Sequence, residues 1–423
     1  MSDFFILAVI ITFFIFGLTR PYIAFAGYIW VDTLVPQTIV FGFLYGKPIS
    51  MIMAGLCFLS LILGVSKVSK PTRIAPFLLL VLFMVWITIS TDMAQFQAIA
   101  WVKWDTAVKT VLMATLTMFA IRNRRELEAV LLILVFSLSF FMLTAGIKTL
   151  FGGGGYGRTL ITGVGNSGMA ESSTLAAFSV LVIPFLLFFK NNITILDFLK
   201  DKKWLWNAAI LSSVLTNIGT TARTGLVTLA GYIGYRSLNK KMFVQGIAVL
   251  LVAVFCFQAF APADWKNRMN TLTEVSDEGS AMGRVVVWQW TIDYVADRPV
   301  FGGGFQSFLA NRGQLVKYNE NFSFGVKAFH SIYFELLGEQ GYGGLTIYLA
   351  LIFWAYNQNR KIEKNDKLDQ WSRDLGSCMK SAIVIFCIGG AFVGIGYKPI
   401  IFQLVALTAA HLKAIDRARD GTK

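Results

Sequence analysis

Between Phe4 and Lys413 the sequence returns repeatedly to one pattern, a long apolar run followed by a short polar loop. A helix of about 20 apolar residues matches the hydrocarbon thickness of a bilayer. The runs fall at 4–19, 22–44, 48–66, 74–91, 104–121, 127–149, 170–189, 204–219, 222–237, 242–260, 331–355, 377–394 and 398–413. Asp32 and Pro36 interrupt the second run, so about 12–13 transmembrane helices are expected. Only 15% of the residues are charged, against about one quarter in soluble proteins. The fold class is therefore all-α, a polytopic integral membrane protein. The first run lacks a basic start and a small-residue cleavage site, and reads as a retained span rather than a signal peptide.

The net charge of +14 does not indicate nucleic acid, because of where the charge lies. Basic residues cluster at Lys67–Arg73, Arg122–Arg125, Lys200–Lys203, Arg236–Lys241, Arg360–Arg373 and Lys413–Lys423. Span parity puts all six clusters on one face, which the positive-inside rule makes cytoplasmic. Cys57, Cys256, Cys378 and Cys387 lie in or beside apolar runs without a CxxC spacing, and indicate neither a disulfide framework nor a metal site. Four units follow: N-terminal spans 1–150, central spans 151–260 with a glycine-rich outer loop, a large outer loop 261–330 bearing short helices, and C-terminal spans with a tail, 331–423. No internal repeat is visible.

The face opposite the basic loops carries Thr91–Lys103, Phe151–Gly168, Gly219–Arg223 and the long 261–330 segment. Basic residues should be scarce there. Yet Arg158, Arg223, Arg284 and His330 all fall on it. A guanidinium suits phosphate bidentately and keeps its charge when partly desolvated, so an anionic, membrane-borne substrate would account for the arginines. Plainer readings stand beside this one. Arg223 snorkels to the interface. Arg284 pairs with headgroups or stacks on Trp288. His330 is a satisfied helix-cap histidine.

Residues 284–295 read as an interfacial helix with Val285, Trp288, Ile292 and Val295 along one face. Glu335 and Glu339 share a helical face and are expected to orient neighbours or hold an arginine. Gly152–Gly157 lacks a following Gly-Lys-Ser/Thr and reads as a loop that could close over a substrate, not a phosphate loop. His411 falls on the basic side, so neither a metal nor a cofactor is expected.

Several motifs together resemble the O-antigen ligase and polymerase superfamily. They are Thr221-Ala-Arg223-Thr-Gly-Leu, Gly283-Arg284 with Trp288, Pro299-x-x-Gly-Gly-Gly-x-x-x-Phe308, and His330-Ser-x-Tyr333-Phe-x-x-Leu-x-Glu339-x-Gly341. Arg20-Pro-Tyr, Ile29-Trp30, Tyr45 and Lys109-Thr-Val-Leu-Met are similar to O-glycosylation ligases that accompany exosortase systems. Where such relatives carry an Asp-Asn-Asn-like stretch, this chain has Gly165-Asn166-Ser-Gly-Met-Ala-Glu171.

The resemblance implies a metal-independent, inverting glycosyltransferase of the bacterial inner membrane, with its active site facing the periplasm. Its donor would be an undecaprenyl-diphosphate-linked glycan, and its acceptor a lipid A-core sugar, another glycan or a protein. His330, Arg284 and Arg223 would be catalytic. Arg158, Trp288, Tyr333 and Glu339 would contact substrate. A polysaccharide polymerase is the alternative within the class, and a lipid-linked glycan flippase the alternative outside it. A flippase predicts inverted repeats and polar residues at mid-membrane.

Overall fold

The computed structural model describes residues 3–64, 67–152, 160, 169–237, 251, 279–322 and 325–421. Arg158, most of the glycine-rich loop, all but one residue of the expected span 242–260 and the first part of the large loop lie outside the described residues. The described residues form α-helices and short 3-10 turns, with no strand. The α-helices are α1 Asp3–Gly17, α2 Pro21–Leu34, α3 Ile49–Leu63, α4 Ala75–Asp92, α5 Gln97–Ala120, α6 Arg124–Leu150, α7 Ser172–Leu181 and α8 Ile183–Asn192. They continue as α9 Lys203–Gly219, α10 Arg223–Ser237, α11 Gly279–Ala296, α12 Ile332–Glu363, α13 Gln370–Gly390 and α14 Pro399–Arg419.

This is an all-α polytopic membrane protein. Four stretches among the described residues are long and apolar enough to cross a bilayer: α4, α6, the α7–α8 pair and α14. α1 and α3 are apolar but shorter. α5 and α12 fall in expected spans yet carry polar groups along their length, Lys103 and Lys109 in one, Glu335 and Glu339 in the other.

Local chemistry sets the helix ends. Val35 takes a left-handed conformation (φ 48°) just before Pro36, which ends α2 where the sequence suggested a break. Pro184 lies in the first turn of α8, where its missing N–H costs nothing, and divides the expected span 170–189 into two helices. α6 starts with a reciprocal cap. Asn123 accepts from the Glu126 amide at 3.0 Å, and the Glu126 carboxylate accepts from the Arg122 amide at 2.8 Å.

Contacts between distant loops bring the basic segments to one end of the bundle. Arg124 pairs with Asp369 at 3.0 Å and Arg73 with Asp416 at 3.5 Å. Trp371 Nε1 donates to the Asn192 carbonyl at 3.1 Å, and Lys413 Nζ to the Ser69 carbonyl at 2.8 Å. At the other end, Tyr294 Oη donates to Gln95 Oε1 at 2.7 Å, and the Gln95 amide to the Gly303 carbonyl at 3.0 Å. α11 lies there, and the face it packs against the protein is not the one formed by Val285, Trp288, Ile292 and Val295. Val286, Val287, Trp290, Tyr294 and Val295 are buried, while Val285 and Ile292 are exposed. Two adjacent residues per turn are buried because α11 rests in the groove between α12 and the 3-10 turns of the large loop, not on a flat surface.

The expected span 331–355 is longer and is interrupted. α12 reaches Glu363, and Gly341 inside it has φ 65° and ψ −171°, far from helical values.

Candidate active site

A break inside a membrane helix frees backbone groups that must be paired again. Here the glycine triplet of the large loop pairs them. The Gly338 carbonyl accepts from the Gly303 amide at 2.9 Å and from Ser307 Oγ at 3.0 Å. The Glu339 carbonyl accepts from the Gly304 amide at 3.0 Å and from Ser90 Oγ at 2.9 Å. Trp86 Nε1 reaches the Gln340 carbonyl at 3.0 Å. Beyond the break, the Tyr342 amide donates to the Pro299 carbonyl at 2.9 Å. Such close backbone contact excludes side chains: a Cβ on Gly302 (φ 67°) would lie 2.6 Å from the Gly341 nitrogen, and one on Gly341 2.3 Å from the Val300 oxygen. The motifs Pro299–Gly304 and Gly338–Gly341 are thus two halves of one joint.

Below the joint lies a buried charged hub. Lys103 Nζ is 2.9 Å from both Glu335 Oε1 and Glu339 Oε1. The Gln306 amide also donates to Glu339 at 2.9 Å, and Glu335 accepts from the Gly396 amide at 3.1 Å. The Lys103 ammonium sits 4.7 Å from the Tyr397 ring centroid and 5.5 Å from that of Phe305. The glutamates therefore hold a lysine rather than an arginine, and Glu339, with 0% exposure, is enclosed by its protein partners. Tyr333 likewise turns inward, donating to the Cys387 carbonyl at 3.1 Å.

His330 stands in the opposite condition. Its backbone is left-handed (φ 50°), an unusual conformation for a non-glycine residue. It is anchored on one side by Trp288, whose Nε1 donates to the Phe329 carbonyl at 2.8 Å. Trp288 stacks on Phe334, with centroids 5.0 Å apart, so it does not serve as the expected platform for Arg284. Asn311 clasps the other side, donating to the Lys327 carbonyl at 2.7 Å and accepting from its amide at 3.2 Å.

The imidazole itself is exposed and makes no hydrogen bond within the protein, so it is not a cap. The helix cap is Ser331, whose buried hydroxyl has no partner. Protein packed around His330, followed by the nearby Arg284 charge, holds its pKa below the ordinary histidine value; Lys327 acts in the same direction, Glu171 and Glu335 oppose it. At neutral pH the ring is an uncharged base, with two cations close by.

Arg223 opens α10, which packs against α7 and α13. The turn before it repeats the features seen at His330. Thr221 is left-handed (φ 52°), a strained state for a β-branched residue, and the buried hydroxyls of Thr221 and Thr224 have no partner. Glu171 caps α7 and acts electrostatically on His330, so α7 links the two helix starts. The structure thus brings Arg284, Lys327 and His330 together at the end away from the basic loops, with Trp288 as their support.

Residues 208–349 match the O-antigen ligase family. The matched stretch contains Arg223, Arg284, Trp288, His330 and Glu339, and bears out the resemblance to the O-antigen ligase and polymerase superfamily. Residues 1–194 match a family of unknown function (DUF5935), which leaves the narrower likeness to exosortase-associated ligases as an expectation. No curated protein matches the chain. Among the described residues no group of three or more His, Cys, Asp or Glu side chains converges as a metal site would require.

Lys327, Asn311 and Lys103 escaped the sequence reading. Lys327 sits three residues before His330 in the same loop, and that nearness was the one signal it offered. Lys103 meets its glutamates across 232 and 236 residues, and no local pattern announces that.

Proposed function

We propose that this protein transfers a glycan from an undecaprenyl-diphosphate carrier to an acceptor hydroxyl at the periplasmic face of the inner membrane, as an O-antigen ligase does. The observation that carries this reading is His330: strained, exposed, without a hydrogen-bonding partner, and flanked by Arg284 and Lys327 in the stretch that matches the O-antigen ligases. The acceptor oxygen attacks the anomeric carbon of the donor, and its proton passes to the neutral imidazole. The bond from that carbon to the diphosphate breaks, and the electron pair leaves with the diphosphate. Attack opposite the leaving group inverts the anomeric centre.

Arg284, Lys327 and Arg223 stabilise the negative charge that grows on the leaving group. These cations meet that charge without requiring a metal. Trp288 and Asn311 position His330, and the Lys103–Glu335–Glu339 hub holds the helix that begins just after it. A flippase makes no bond and has no use for a base.

The test is one preparation of His330→Ala, reconstituted with lipid-linked glycan and candidate acceptors. Donor binding is expected to persist while transfer falls by about 10²–10⁴-fold, the usual contribution of a positioned base. Unchanged transfer removes His330 as the base, and binding and transfer falling together makes it part of the donor site. Resolving products by size separates a single ligation from polymerisation.

A further inference from the structure

A cavity of about 440 Å³ lies between the residues that match the family of unknown function and the C-terminal helices. Its size is within the range of small-ligand sites, about 300–1,000 Å³. Asp32, Lys103, Thr106 and Thr110 line it from the N-terminal side, and Glu335, Lys398 and Gln403 from the C-terminal side. Leu138, Phe178 and Ile400 supply apolar wall.

The polar lining is unsatisfied in a specific way. Lys103 and Glu335 pair with each other, but Asp32 and Lys398 make no hydrogen bond or ion pair within the protein and face one cavity. Gln403 is 3% exposed, and its Oε1 has no partner. Further along α5, Thr115 and Thr117 donate back to the carbonyls four residues earlier, at 2.7 and 2.8 Å. Thr106 and Thr110 on the same helix make no such bond, leaving their hydroxyls to the cavity. Two acidic and two basic side chains line the space, so their charges sum to zero. A diphosphate would not be favoured there, but a neutral polyhydroxylated ring would. Such a ring can donate hydroxyls to Asp32 and Gln403 Oε1 and accept from Lys398 and the threonines.

The cavity also adjoins the reaction centre. Glu335 lines it, five residues after His330, and its amide donates to the Ser331 carbonyl at 2.8 Å. The geometry points to a neutral-sugar subsite in this cavity, which holds the saccharide that presents its hydroxyl to His330. This inference rests on the transfer reaction proposed above, and gives the N-terminal half a share in choosing the acceptor.

The test uses the full chain in lipid nanodiscs and two probes read by ligand-observed NMR. One probe is a panel of neutral methyl glycosides (glucoside, galactoside, mannoside and N-acetylglucosaminide). The other is inorganic pyrophosphate. At least one glycoside is expected to bind saturably to the wild type. Its Kd should weaken at least tenfold in Asp32→Asn, in Lys398→Met and in the cavity-filling Ala107→Phe. Pyrophosphate binding should be retained in all three, which shows that they fold. Saturable glycoside binding that survives all three substitutions overturns the subsite, as does failure of every glycoside to bind the wild type. In a transfer assay the same variants should raise KM for the acceptor; a rise confined to the donor KM also overturns it. If pyrophosphate fails to bind the wild type, the transfer reaction itself is in error, and glycoside binding still reports on the cavity.

Discussion

Nine positions separate His330 from Glu339 in one motif, yet the two side chains live under opposite conditions. Glu339 is wholly buried and bonded to Lys103 and Gln306. His330 is exposed, held in a left-handed backbone and bonded to nothing. A side chain with every partner supplied can stabilise but has little left to offer a substrate. A side chain that is strained and unpartnered adds little to stability and is available for chemistry. A single stretch of sequence therefore contains architecture at one end and reactivity at the other.

The strongest way to break this contrast is to exchange the expected phenotypes. Glu339→Ala should lose about 3–5 kcal/mol of stability, because it breaks an ion pair whose carboxylate is wholly buried and leaves the Gln306 amide without its acceptor. The loss would be read as lower yield of folded protein and a lower Tm in detergent. His330→Ala should leave both within the range of an ordinary surface change. A stable Glu339→Ala protein that is inactive for transfer would move Glu339 into the catalytic group.

Arg223→Lys and Arg284→Lys sharpen the reactive side. Lysine keeps the charge but not the two-pronged donor geometry. Each should cost about 2–4 kcal/mol of transition-state stabilisation, with Tm unchanged. Near-normal turnover in both would reduce these residues to interfacial anchors.

On the architectural side, Gly302→Ala should destabilise by about 1–3 kcal/mol or more, since the residue is left-handed and its Cβ would strike the Gly341 backbone. Gly313 is also left-handed, but no atom lies within 4 Å of its Cβ position, so Gly313→Ala should cost less. Equal Tm values for the two variants would mean that the joint does not hold α12.

The smallest effect is in pH dependence. His330 must be neutral to accept a proton, and its pKa lies below the ordinary value of 6.5. Transfer should therefore fall only as pH drops below about 6.5, the reference pKa of histidine. Arg284 is one of the charges depressing that pKa, so in Arg284→Gln the acid limb should move to higher pH. The same depressed pKa contributes stability above the unfolded value, which is lost as pH falls through the folded one. An acid limb that does not move would separate the arginine from the histidine.

Much of the fold was legible because hydrocarbon imposes a coarse code. Apolar length located the helices to within a few residues at α3, α4, α9 and α10. Proline marked the break after α2, whereas the division of span 170–189 at Pro184 was not read. The Gly341 break was not legible, since glycine also occurs inside straight membrane helices and only the loop docked against it reveals the kink. The polar positions inside the spans were not legible as a group. Asp32, Lys103, Glu335 and Gln403 line one cavity assembled from α2, α5, α12 and α14, and nothing local in the sequence joins them. Arg284 and His330 were recognisable as basic groups on the wrong side. Lys327 offered only its nearness to His330 in sequence, and Asn311 no signal, because their roles depend on how a loop folds back.

The joint between the glycine triplet and α12 also has a consequence for assembly: neither half is complete without the other. Gly302–Gly304 leaves the ribosome before Gly338–Gly341. A helix with its backbone open at the tenth of 32 residues leaves polar groups that lipid cannot pair. The large loop must therefore reach its final side and wait there, so that α12 enters the bilayer against a partner already in place and the last two helices follow a completed seam.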